Sequence, residues 1–110
     1  MTGADELIAM IDALQRSDLD AWIDEELVVP AREEAGTLVF SETECARVRL
    51  ICTLRYELDI EAAMLPVVMS LVDQLYDTRQ KLLSLTAAVR AQDVSVQAAI
   101  LAAMKLEADI

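Results

Sequence analysis

Histidine is absent from the 110 residues, and glycine and proline occur only twice each. Without histidine there is no imidazole base for a Ser-His type nucleophile and no imidazole metal ligand. Two glycines leave no Gly-rich phosphate loop, and no segment has the pattern of an EF-hand calcium loop. Asp20 and Asp24 lie four apart and share a helix face, but no nucleophile–base pair accompanies them. The chain is therefore expected to be a non-enzyme that needs no cofactor and no metal. The two cysteines, Cys45 and Cys52, would stand roughly 10 Å apart along one helix. That is too far for a disulfide or a shared ion, so both are expected to be core thiols.

Positive charge is missing from one end. The first 44 residues hold only Arg16 and Arg32 against twelve carboxylates, and so carry ten of the eleven net negative charges. Residues 45–110 are almost balanced, with seven basic and eight acidic side chains. A surface this acidic repels phosphate and attracts a basic partner. Long apolar runs are also missing. A stretch such as Ala62–Met69 is far below membrane-spanning length. Asp5, Glu6 and Asp12 interrupt the first segment, which does not read as a signal peptide. A cytoplasmic protein that enters no membrane is the expectation.

What is present favours helix. Hydrophobic residues make up 55% of the chain and aromatics only 4%, with Ala, Leu and Val prominent. Ala, Leu, Met, Glu and Gln lose little side-chain entropy in a helix. Leu7, Ile8, Ile11 and Leu14 predict a first helix over Asp5–Gln15. Ser17, with Asp20 three residues on, is a candidate cap for a second helix over Asp18–Glu26. Its apolar side is Leu19, Trp22, Ile23 and Leu27, and the pair makes a helix-turn-helix candidate. Val28–Ala31 and Thr37–Phe40 predict a short hairpin around Gly36. Ser41 with Glu44 forms a capping box for a third helix, whose core face is Cys45, Val48, Ile51 or Cys52, and Leu54 or Leu58. Asp59 is a candidate cap for a fourth helix, and Pro66 predicts a kink or a restart.

Val68, Leu71, Leu75, Thr78, Leu82, Leu85 and Val89 are spaced alternately by three and four. This heptad stripe has one polar member and predicts a long helix with coiled-coil character. The stripe can pack within the chain or on a second copy, and a homodimer with Leu71, Leu75, Leu82, Leu85 and Val89 in the seam is the favoured expectation. The tail, Asp93–Ile110, is again helical in pattern. Residues 1–72 are expected to form a head and 73–110 a helical extension, together one compact domain.

Four stretches carry a family resemblance: Glu25-Glu26-Leu27-Val28-Val29-Pro30, Leu38-Val39-Phe40, Leu54-Arg55-Tyr56-Glu57-Leu58 and Met69-Ser70-Leu71-Val72-Asp73-Gln74-Leu75. In order and spacing they resemble the MerR-type winged-helix proteins and, within them, the CbpM-type chaperone modulators, over roughly residues 5–90. The resemblance implies a mainly α fold: a winged helix-turn-helix head with a small β-hairpin wing, then the long helix. It also implies binding to the J-domain of a CbpA/DnaJ-like co-chaperone, inhibition of that co-chaperone, and neither catalysis nor a cofactor.

The resemblance makes the second helix the recognition helix. DNA-binding relatives place basic and aromatic side chains there and in the wing. This chain offers Asp18, Asp20, Asp24, Glu25 and Glu26 on the helix, and Glu33 and Glu34 beside Arg32 in the wing. Operator binding is disfavoured on that charge alone. These seven carboxylates are the candidate partner-binding face, and the plain alternative is a solubilising surface. Trp22 is expected in the core, with an interface anchor as its alternative. The other functional readings kept open are a MerR-type DNA-binding regulator and an acidic adaptor for another basic protein.

Overall fold

A computed structural model describes residues 1–108, with side chains through Lys105. Helix α1 (Ala4–Met10) and helix α2 (Arg16–Asp24) form the helix-turn-helix. Strands β2 (Ala31–Arg32) and β3 (Leu38–Phe40) form the wing. Helix α3 (Glu42–Cys52) runs into a π-helical turn, Thr53–Glu57. A 3₁₀ turn (Ala62–Met64) leads into α4 (Leu65–Arg90), and α5 (Val94–Ala108) follows. The fold is mainly helical, as the composition implies.

With β1 (Thr2–Gly3), the sheet has the order β1-β3-β2 and is antiparallel throughout. This first strand was not foreseen; Thr2 lies opposite Phe40 and Gly3 opposite Val39. In the wing, Ala31 faces Val39 and Arg32 faces Leu38. The connecting turn closes through Gly36 N–H to Glu33 C=O at 2.8 Å, with Gly36 at φ 82°. A left-handed residue is required there, and glycine meets that requirement without a Cβ clash.

Helix ends differ in detail from the sequence pattern. Helix α1 stops at Met10 rather than Gln15, and Leu14 reaches the core from a turn in which its N–H bonds Ile11 C=O at 3.0 Å. Helix α2 starts at Arg16 with Gln15 as the flanking residue, so Ser17 lies inside the first turn and caps nothing. Ser41 does cap α3, its hydroxyl accepting from Glu44 N–H at 3.2 Å. The core face of α3 holds Val48, Ile51 and Cys52, with Leu54 packed against it, whereas Leu58 is exposed. Asp59 sits at φ 55° and breaks the chain there, but Glu61 flanks the next helical turn, so Asp59 is no cap. Pro66 falls in the first turn of α4, where its missing N–H would have no helical partner, and the helix begins there.

The chain divides into two compact units, the first Met1–Leu71 and the second beginning at Val72. The first unit has the core: Leu7, Leu19, Trp22, Phe40, Ile51 and Leu65 are all buried. In the second unit no described side chain is buried. There Leu82, Leu85, Val89, Ile100, Leu101 and Met104 line an apolar groove of about 650 Å³. Thr78, the polar member of the heptad stripe, turns its hydroxyl back to Gln74 C=O at 2.8 Å, so the stripe carries no unsatisfied group there.

Candidate functional site

The surface built by α2 and the wing is set by how α2 ends. Leu27 N–H bonds Trp22 C=O at 2.9 Å and Glu26 N–H bonds Ile23 C=O at 3.0 Å. These are the two bonds of a Schellman motif, with Leu27 and Trp22 both buried beneath it. The left-handed position belongs to Glu26, at φ 60°, where glycine is the usual occupant. Asp24, Glu25 and Glu26 therefore stand together at the carbonyl end of a helix, where the dipole disfavours negative charge.

Helix α3 fixes the segment that follows. Arg47 Nε donates to Leu27 C=O, and Val29 N–H donates to Glu44 Oε2 at 3.2 Å. Glu44 thus reaches across to Val29 instead of back to Ser41, which removes the reciprocal half of the expected capping box. Val28 is buried and Val29 is 63% exposed, the alternation of an extended segment. Arg47 was not singled out in the sequence, and Glu44 only as the capping-box partner of Ser41. Nothing local marks these two contacts, because the partners lie 20 and 15 residues away.

Of the seven candidate carboxylates, Asp20, Asp24, Glu25 and Glu26 on or next to α2 are exposed, as are Glu33 and Glu34 in the wing. Asp18 is different. It is half-buried, and its Oδ2 accepts the hydroxyl proton of Tyr56 from the π-helical turn. Burial, and then that hydrogen bond, push the Tyr56 phenol up to about 12. Burial, and then the Asp18 charge, push the Cys52 thiol up to about 11. Asp18 therefore ties α2 to the turn, with one carboxylate oxygen already engaged. Trp22 is 3% exposed and lies 6.2 Å from the Tyr56 ring, centroid to centroid. It packs in the core.

Two of the nearby cations have partners of their own. Arg16 pairs with Asp5, and Arg47 is committed to the backbone of Leu27. Arg32 has no ion pair or side-chain hydrogen bond among the described residues. Arg55 likewise makes none. Among the described residues no group of three side chains is placed to hold a metal ion. No described helix is long and apolar enough to cross a membrane.

A helix-turn-helix, a two-stranded wing and a following long helix define a winged-helix protein. The family of MerR HTH regulatory proteins matches residues 9–70, and the chain belongs to that family. No curated protein and no solved structure matches it.

Proposed function

We propose that this chain uses the MerR recognition face to bind a basic protein rather than DNA, and that it is a non-catalytic inhibitor of a CbpA/DnaJ-type co-chaperone acting on the J-domain. One observation carries the first half: six exposed carboxylates on α2 and the wing, with Arg32 as the one cation between Ser17 and Ala46. Phosphate contacts supply most of the affinity of a DNA-binding domain, and here each would meet a like charge. The three acids at the carbonyl end of α2 disfavour the helix, a cost that a recognition role would explain. The J-domain assignment rests on the four stretches quoted above.

The same reading makes the chain a homodimer. Leu71, Leu75, Leu82 and Leu85 are exposed and Val89 is partly buried, an apolar stripe that a second copy can cover.

A MerR-type DNA-binding regulator is the second reading, and membership of the family favours it. The ATPase of an Hsp70 stimulated by its J-domain co-chaperone separates the two. On our reading the chain suppresses the stimulated rate in proportion to its concentration and leaves the basal Hsp70 rate alone. An unchanged stimulated rate at saturating chain rejects the inhibitor reading.

A further inference from the structure

Between the end of α2 and the wing lies an open slot of about 380 Å³. Ile23, Val29, Pro30 and Leu38 give it an apolar lining, and Glu26 and Arg32 are its charged members. An exposed valine is ordinary by itself. This one is held in place, because its own N–H is bonded to Glu44 and the Schellman motif fixes the residues before it. The slot is thus a preformed depression of mixed lining, with aliphatic side chains from three segments and the Glu26 carboxylate within it.

We infer that this slot docks an amphipathic basic α-helix of the partner protein, taking one aliphatic side chain while Lys or Arg side chains one turn apart pair with α2. This deepens, and rests on, the proposal that the face binds a basic protein. Charge complementarity selects the occupant. Asp20 and Asp24 are one helical turn apart, the spacing of basic residues at i and i+4 on a facing helix. The carboxylates of Asp20, Asp24 and Glu26 disfavour a nucleic acid backbone, whose phosphates carry the same charge. Arg32, without an ion pair of its own, supplies a donor for a carbonyl or carboxylate oxygen of the incoming helix. The recognition is therefore an aliphatic anchor in the slot with a charged rim, an arrangement in which the anchor sets affinity and the rim sets on-rate.

Two synthetic helical peptides test it, each with lysines at i and i+4, one with a central leucine and one with serine in its place. Both are titrated calorimetrically into the full chain and into Val29→Asp and Val29→Ser variants, with the J-domain titrated in parallel. Circular dichroism checks that each variant keeps its fold. The wild-type chain should bind the leucine peptide about tenfold more tightly than the serine peptide. That advantage should vanish in both Val29 variants, whereas a D20N/D24N variant should weaken both peptides alike. Equal binding of the two peptides to the wild-type chain overturns the slot. So does an advantage that survives both Val29 substitutions. If the J-domain fails to bind while the leucine peptide keeps its Val29-dependent advantage, the proposed partner is wrong and the slot stands. J-domain binding that ignores both Val29 substitutions overturns the slot and leaves the partner.

Discussion

The hydroxyl of Tyr56 donates to the carboxylate of Asp18, joining the π-helical turn after α3 to the first turn of the recognition helix. The two residues are 38 apart in sequence, and the Tyr56 ring also lies against Trp22. Tyr56 thus adds a polar tie to the packing of Leu19 and Trp22 that seats α2 on the core. Tyr56→Phe removes the donor, keeps the ring and leaves Asp18 half-buried without its partner. Urea unfolding should show a loss of about 1–2 kcal/mol.

Burial of Tyr56 and Cys52, and then the Asp18 carboxylate beside them, gives stability a high-pH limb. Tyr56 moves from 10.0 to about 12 and Cys52 from 9.0 to about 11 in the folded chain. Both pKa values are raised, so the folded state holds these protons longer than the unfolded state does. The stability they add is fully present below about pH 9 and is lost as pH rises toward 12. Melting temperature should fall across that window. In Tyr56→Phe the part of the fall above pH 10, the ordinary tyrosine value, should shrink.

Glu26→Gly should stabilise the fold by about 1 kcal/mol, since it relieves a left-handed non-glycine residue and removes one acid from the carbonyl end of α2. Chemical denaturation measures it. The same variant should bind the J-domain more weakly and with less salt dependence. A gain in stability with a loss in binding marks a residue kept for recognition.

The two thiols should react unequally. Cys52 is buried with its thiol held protonated to about 11, whereas Cys45 is partly exposed and lies 3.8 Å from Phe40 C=O. At pH 8 an alkylating reagent should label Cys45 first, and Cys52 only on unfolding. Peptide mass mapping over time reads the order.

Replacing seam residues should separate the copies. Leu75 is 71% exposed in the single chain, and Leu82 lies further along the same stripe. L75K with L82K places two ammonium groups in the proposed interface. Light scattering should then report a monomer where the wild-type chain gives a dimer, while circular dichroism retains the winged-helix signal.

Much of this was legible in the sequence because the signals were local. Ser41 and Glu44 mark the start of α3 within four residues, and the heptad stripe marks α4 by its period alone. The wing was legible from β-branched residues around Gly36. What was lost depended on distant partners. Asp18 reads as one more surface acid until Tyr56, in a different element, takes its carboxylate. Glu44 reads as half of a capping box until Val29 offers a better donor. The strand at Thr2–Gly3 is too short to have a pattern, and exists only because β3 has a free edge to pair. The slot beside Val29 was missed for the same reason, since three separate segments assemble it.

The central claim is that a DNA-reading scaffold here reads a basic protein surface. Its most direct test is one calorimetric comparison: the chain titrated with the J-domain of its organism's CbpA-like co-chaperone, and separately with duplex DNA, each at low and high salt. The account predicts micromolar or tighter J-domain binding that weakens as salt rises, and no heat with the duplex at either salt. Tight, salt-sensitive binding to the duplex with none to the J-domain would contradict it and return the chain to the DNA-binding regulators of its family.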